Sequence, residues 1–328
     1  MTTMSTTKIP CSLALALGLM MLLSFVVSSS GNLQVGFYKG KCGFRDVESI
    51  VRNVVTAALA GDRTLTAALL RLQFHDCFVS GCDASLLLDG SNSEKRAPPN
   101  LSVRGYELID AVKNAVERAC PGVVSCADII AMATRDAVSW AGGGRYGVET
   151  GRRDGLKPAF NIDLPGPSIS VSDSIAAFSK RNLSVTDMVY LLGGHTVGVA
   201  HCIFFKDRLY NYKNTGRPDP TIDPWLLNNL RNQCPRNSDN DNAVFLDQNF
   251  LSSFVVDKSF HKQILQRRGI LEIDQQLALN PLTKDLVSNV AFGFDFSYKF
   301  GQAMINMGRI QVLTGSQGEI RKRCGAVN

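Results

Sequence analysis

Helical periodicity is the main pattern of apolar and polar positions along this chain. Val47, Val51 and Val55 recur at the spacing of an amphipathic helix. The same periodicity, with capping residues in front of two segments, predicts helices over 64–75, 103–119, 125–140 and 184–192. Only Tyr146 to Thr150 favours a short strand. The pattern therefore predicts a mainly α fold with minor β-structure.

The first thirty residues have the composition of a targeting segment. Lys8 is their only charged residue, and an apolar run over 13–27 is followed by three serines. This order predicts a secretory signal peptide over residues 1–30. An uncleaved membrane anchor is the alternative, although the run is short for crossing a bilayer.

Residues 31–328 contain neither an internal repeat nor a flexible linker, so we predict one domain there. This segment is longer than the length at which a single hydrophobic core usually stops growing. It could therefore form one large helical domain or two lobes around a cleft. A 45% apolar and 20% charged composition is that of a globular protein. The formal charge of +6 is too small and scattered to indicate nucleic-acid binding. It favours contact with an acidic polysaccharide or an anionic membrane surface, or it serves solubility alone.

The cysteine content indicates an oxidising compartment. Cys11 lies in the N-terminal segment, and eight further cysteines follow it: Cys42, Cys77, Cys82, Cys120, Cys126, Cys202, Cys234 and Cys324. An even number in a secreted chain predicts disulfides, for which the sequence alone permits about 105 pairings. A zinc site that includes His75, Cys77 and Cys82 is the alternative, but these residues lack the paired spacing of zinc ligands.

Two of the four histidines lie in segments with candidate chemistry. Arg71 and His75 are four residues apart, so on a helix they share one face. An imidazole beside a permanent cation can move a proton while the cation stabilises the charge left behind. His195 follows the apolar helical stretch 188–192. A buried imidazole at that place is a candidate metal ligand.

These segments resemble the distal and proximal haem motifs of the secreted plant (class III) haem peroxidases. The resemblance extends from Leu33 to Asn328 and includes the segments 124–128, 151–155, 207–211 and 313–316 in the same order. It implies a two-lobed helical fold with one haem b between a distal and a proximal lobe. It also implies that hydrogen peroxide is reduced and that phenolic donors are oxidised in two one-electron steps through a ferryl intermediate.

The resemblance assigns roles to individual residues. On the distal side these are His75 as acid and base, Arg71 as stabiliser of the leaving oxygen, Asn100 as acceptor for His75, and Phe74 as cover of the haem face. On the proximal side they are His195 as axial ligand and Asp274 as the carboxylate that orients it. Pro165 matches a proline at the entrance for aromatic donors.

Two calcium ions are implied as well. The distal set is Asp76, Val79, Gly81, Asp83, Ser85 and Glu94, whose hard oxygen donors on a tight loop suit this ion. The proximal set is Thr196, Asp247, Ser252, Val255 and Asp257. Here the chain departs from the family pattern, because its two carboxylates are ten rather than eight residues apart and Lys258 replaces the common Asn. Ser252, Val255 and Asp257 match the family spacing when counted back from Asp257. Asp247 can join them only if the chain before Ser252 contains a two-residue bulge.

The resemblance also selects the disulfides Cys42–Cys120, Cys77–Cys82, Cys126–Cys324 and Cys202–Cys234. It implies a secreted monomer in the extracellular space or cell wall rather than the vacuole. Of the two glycosylation patterns, at Asn100 and Asn182, only Asn182 is a good acceptor if Asn100 serves His75. The alternatives are a wall protein that binds haem and calcium without turnover, and a globin-type oxygen carrier.

Overall fold

The computed structural model describes residues 33–238 and 240–328. Its helices are α1 (Val47–Gly61), α2 (Leu65–Cys77), α3 (Tyr106–Ala119), α4 (Cys126–Trp140), α5 (Val171–Ser179), α6 (Val185–Leu192), α7 (Lys206–Tyr210), α8 (Pro224–Gln233), α9 (Ser259–Leu265), α10 (Glu272–Leu279), α11 (Lys284–Phe292) and α12 (Phe296–Met307). The predicted signal peptide lies outside the described residues. Within them, no helix combines the length and apolar character needed to cross a membrane.

The β-structure consists of two small antiparallel sheets in the described part of the chain. One pairs β1 (Gln34–Val35) with β2 (Glu149–Thr150), and the other pairs β3 (Val199–His201) with β4 (Ala243–Phe245). The strand predicted from Tyr146 is thus confined to its last two residues. The second sheet was not predicted, because three-residue strands are too short to show alternation. The mainly α fold is confirmed.

The buried apolar side chains form two clusters. One is built chiefly on α1 to α4, and the other chiefly on α5 to α12. Tyr146 packs against both clusters. The chain therefore has two helical lobes in contact, an N-terminal and a C-terminal one.

Three of the predicted helix starts can be compared with the structure. The Ser125 hydroxyl accepts from the Asp128 N–H at 3.1 Å and caps α4, while Ser184 and Asp187 form a capping box at α6. Helix α3 begins at Tyr106 rather than Val103, because Gly105 adopts φ +102°. A Cβ at Gly105 would lie 3.5 Å from Leu69 of α2, an ordinary contact distance, so the positive φ rather than lack of space favours glycine there.

The segments 124–128 and 151–155 hold the lobes together. The buried Asp128 carboxylate accepts from Arg152 at 2.8 Å and from the Tyr38 hydroxyl at 2.6 Å. Arg152 also donates to the Gly308 carbonyl at the end of α12, at 2.9 Å through Nε. Asp154 accepts from the backbone N–H of Ala127 in the first turn of α4. These motifs are therefore structural. The structure also contains four disulfides, and their pairing is the one that the resemblance implied.

Candidate active site

Helix α2 places Arg71 and His75 one turn apart on the N-terminal lobe. His75 is 6% exposed, and its Nδ1 lies 2.6 Å from Oδ1 of Asn100. Because the Asn100 amide group donates to the Glu94 carbonyl at 2.8 Å, Oδ1 of Asn100 is left as the acceptor. Nδ1 of His75 therefore carries the hydrogen, and its Nε2 keeps a free lone pair.

The environment of His75 keeps its imidazole neutral. Burial and then the charge of Arg71 lower its pKa to about 4, against a smaller opposing effect of the bond to Asn100. An imidazole with this pKa is unprotonated throughout the neutral range. His75 can therefore accept a proton at Nε2 and return it.

Arg71 is held by a segment that also holds His75. Its guanidinium donates to the Pro99 carbonyl at 2.9 Å and to the Ser102 hydroxyl at 3.1 Å. The sequence did not indicate these hydrogen bonds, because Ser102 was considered only as the third residue of the glycosylation pattern that begins at Asn100. Since Asn100 lies between these two residues, one short segment orients both distal side chains. Phe74 is half-buried beside them, with its ring centroid 5.7 Å from that of His75.

His195 lies in the one-turn helix Gly193–Thr196 that follows α6. Its Nδ1 is 2.8 Å from Oδ1 of Asp274, which is fully buried on α10. Burial lowers the pKa of His195, but the Asp274 carboxylate outweighs it and raises the pKa above its ordinary value. Nδ1 is thus the donor, and Nε2 is left to bind a metal.

A buried arginine positions the start of α10, where Asp274 lies. Arg208 pairs with Asp219 at 2.9 Å and donates to the backbone carbonyls of residues 269–271, just before this helix. Sequence reasoning used Arg208 only as part of a family motif. Its structural role is to hold the loop from which Asp274 approaches His195.

The distal and proximal histidines belong to neighbouring parts of the fold. The charge of Arg71 lowers the pKa of both His75 and His195, so it is within electrostatic reach of both imidazoles. Gly198, three residues after His195, packs so closely on α2 that a Cβ there would lie 2.8 Å from Ala67. The ring of His195 is 29% exposed although its Asp274 partner is not exposed at all. This donor set fits a haem: His195 Nε2 would hold its iron, and the neutral imidazole of His75 would be left to move protons.

The predicted distal calcium residues converge around buried oxygens without partners. Asp76 Oδ1, Ser85 Oγ and Glu94 Oε2 are buried and accept no hydrogen bond. Burial and the neighbouring charges of Asp83 and Glu94 raise the pKa of Asp76 well above its ordinary value. A cation would relieve both the repulsion and the missing contacts.

No group of three or more His, Cys, Asp and Glu side chains poised to hold a metal is found among the described residues. A calcium shell that also uses the Ser85 hydroxyl and the carbonyls of Val79 and Gly81 does not require one. The zinc alternative is wrong, because Cys77 and Cys82 are joined in a disulfide.

The residues predicted to bind the proximal calcium also lie close together, but they form hydrogen bonds with one another. The Thr196 hydroxyl lies 3.2 Å from both the Val255 carbonyl and Asp257 Oδ1. Asp247 accepts from the Ser252 hydroxyl at 3.0 Å, and the charge of Asp257 contributes to its raised pKa after the effect of burial. These oxygens suit a cation, although their mutual hydrogen bonds make the fit weaker than on the distal side. The Lys258 ammonium is bonded to the Gly293 carbonyl.

Pro165 is half-buried in the loop before α5. This loop is attached to the proximal side, because the Pro167 carbonyl accepts from the Ile273 N–H at 3.1 Å, next to Asp274. The role of Pro165 at an entrance for aromatic donors stays a prediction. Asn100 is buried and Asn182 exposed, in keeping with the preference for Asn182 as acceptor.

Comparisons with known proteins agree with this geometry. The family described as "Peroxidase" matches residues 51–292. The chain is 53% identical to "Peroxidase 60" of Arabidopsis thaliana, covering 92% of each chain. It is 50% identical to "Peroxidase 57" of the same plant, covering 90% of this chain and 93% of the relative. With "Peroxidase 44" the identity is 49%, over 92% and 94% of the two chains. The chain belongs to the plant (class III) haem peroxidase family and is a peroxidase.

Proposed function

We propose that this peroxidase reduces hydrogen peroxide at a haem b held by His195 and oxidises phenolic donors in two one-electron steps. The observation that carries the proposal is the pair of oriented imidazoles. Each uses Nδ1 in a short bond to a buried partner, Asn100 or Asp274, and each keeps Nε2 free. One has a lowered pKa and suits proton transfer, whereas the other is made more basic and suits ligation.

The distal residues divide the cleavage of the peroxide between them. Nε2 of neutral His75 would accept a proton from one oxygen of the peroxide and deliver it to the other, departing oxygen. The Arg71 guanidinium stabilises the negative charge that develops on that oxygen. Haem, when bound, would supply the redox group that stores the two oxidising equivalents released from the peroxide. Asp274 holds His195 in the tautomer that ligates through Nε2.

The pH dependence of the reaction with peroxide follows from the lowered pKa of His75. Because the base is its neutral form, we expect a second-order rate constant that is flat at neutral pH and falls as the pH drops through about 4. Stopped-flow absorption across the acid range measures it. In Arg71→Leu the midpoint should move to higher pH, since a charge that lowers the pKa is gone. A wild-type midpoint of 6 to 7 would contradict the assignment.

We also propose a calcium ion at the distal set, with Asp76, Asp83 and Ser85 as side-chain ligands, Val79 and Gly81 as carbonyl ligands, and Glu94 in its outer shell. A second, weaker ion is proposed at Thr196, Asp247, Ser252, Val255 and Asp257. The unpartnered oxygens of Asp76, Ser85 and Glu94 support the first site. Because Asp76 adjoins His75 and the backbone carbonyl of Glu94 accepts from the Asn100 amide, this ion would rigidify the catalytic segment.

Asp83→Asn should reduce calcium content by one ion per chain, as measured by atomic emission after dialysis. Loss of an ion present at 100 to 1,000 times its Kd lowers the free energy of unfolding by about 3–4 kcal/mol. Asp285→Asn, at an exposed carboxylate in the first turn of α11, is the matched control and should change neither quantity. Unchanged calcium content in Asp83→Asn would remove the distal site from the account.

The site of action proposed is the extracellular space or the cell wall, reached through cleavage after residues 1–30 and leaving 31–328 as one catalytic domain. Four disulfides support an oxidising compartment. Phenolic donors of the wall and an acidic polysaccharide are the partners that this location and the positive charge favour. The domain is proposed to act as a monomer.

A further inference from the structure

A third histidine, His261, is buried on the proximal side close to His195, and the mechanism above does not use it. It lies on α9 with none of its surface exposed. Its Nε2 is 3.2 Å from the Val189 carbonyl of α6, whereas its Nδ1 is buried without a partner. A carbonyl can only accept, so Nε2 carries the hydrogen and donates it.

This hydrogen bond is made to the end of the helix that carries the axial histidine. The Val189 carbonyl also accepts from the Gly193 N–H, where α6 passes into the turn 193–196. His261 therefore binds the last turn of α6 from the side, four residues before the turn that contains His195.

Close packing restricts the same turn. A Cβ built on Gly193 would lie 2.6 Å from Cε1 of His261, so the imidazole rests directly on the backbone there. The neighbouring Phe260 meets the ring of His195 edge-on, with centroids 5.8 Å apart and planes at 85°. Two consecutive side chains of α9 thus contact the turn, one at its start and one at the ligand itself.

We propose that His261 is a positioning residue that fixes the turn 193–196 and, through it, the orientation of His195 toward the iron. The proposal rests on the proposed ligation of haem by His195. A phenylalanine would fill similar space without leaving a ring nitrogen unpaired, which costs free energy. What the imidazole adds is the donor to Val189, so this bond is the feature that carries the role.

The test uses the haem-loaded, chemically reduced enzyme and the iron–imidazole stretching band in its resonance Raman spectrum. His261→Phe removes the donor and should shift or split this band. His261→Gln retains a donor and should shift it less. Haem transfer to an apo-globin acceptor should accelerate by ~10- to 100-fold in His261→Phe, the range for residues that support a metal ligand. His201→Phe, at a histidine whose side chain is 43% exposed and bonded to Asp241, is the matched control and should leave both readouts unchanged.

The iron–imidazole band separates positioning from a merely structural role, which would change only the unfolding temperature. An unshifted band in His261→Phe, whatever its unfolding temperature, would overturn the proposal. If His261→Phe does not fold, Gly193→Ala tests the same contact, because its added methyl group must displace the imidazole and should shift the band. Absence of any iron–imidazole band in the wild type would instead refute ligation by His195, and this inference with it.

Discussion

Replacing His75 by alanine is expected to slow the reaction of the haem-loaded enzyme with hydrogen peroxide by ~100- to 10,000-fold. The variant lacks the neutral imidazole whose Nε2 is free and whose Nδ1 is fixed by Asn100 at 2.6 Å. Haem content and the Soret band should change little, because the proposed ligand is on the other lobe. Stopped-flow absorption at pH 7 measures the rate constant.

His201→Ala serves as the control for this prediction, since it also removes an imidazole, but one that is 43% exposed and bonded to Asp241 rather than to Asn100. It should react with peroxide at the wild-type rate. A rate constant for His75→Ala within a few-fold of wild type would show that another group moves the proton. A slowed reaction that is accompanied by loss of haem would instead point to a folding defect.

Replacing His195 by alanine is expected to abolish stable haem binding, and turnover with it. The iron loses its one proposed protein ligand, and Asp274 keeps a fully buried carboxylate without its imidazole partner. A buried charge left without its partner is strongly destabilising, by about 3–5 kcal/mol. The haem-to-protein absorbance ratio of the purified protein and its unfolding free energy measure the two effects.

Asp274→Asn separates ligation from orientation. Its amide is uncharged, so the pKa of His195 loses the contribution that raises it. This variant should keep its haem but bind it ~10- to 100-fold more weakly, as other changes around metal ligands do.

Retention of full haem content by His195→Ala would mean that a different residue ligates the iron.

Local sequence signals predicted the parts of the fold that local physics determines. The capped starts of α4 and α6 follow from side chains within three residues of each other, and α1 follows from a regular apolar stripe. The start of α3 was predicted too early, because Gly105 turns the chain to pack on Leu69 of another helix. That contact has no trace in the local pattern.

Long-range contacts account for most of what the sequence did not indicate at the site. Family motifs named Arg71, His75, His195 and Asp274. In the structure His195 is bonded to Asp274, whereas Arg71 and His75 are each bonded to the segment 99–102. The bond from Arg71 to Ser102 joins residues 31 positions apart, and Ser102 alone has no distinctive signal. His261 was also missed, because an isolated histidine between Phe260 and Lys262 matches no motif. Only its contacts with Val189 and Gly193 reveal a specific role.

The most direct measurement of the central claim is a sequential stopped-flow titration of the wild-type, haem-loaded enzyme. One equivalent of hydrogen peroxide is added first, and a small phenol is then added in steps. The account predicts a new haem spectrum within the first mixing and return of the resting spectrum after two equivalents of phenol, in two spectrally distinct stages. A haem spectrum that does not respond to peroxide, or one that returns after a single equivalent of donor, would contradict it.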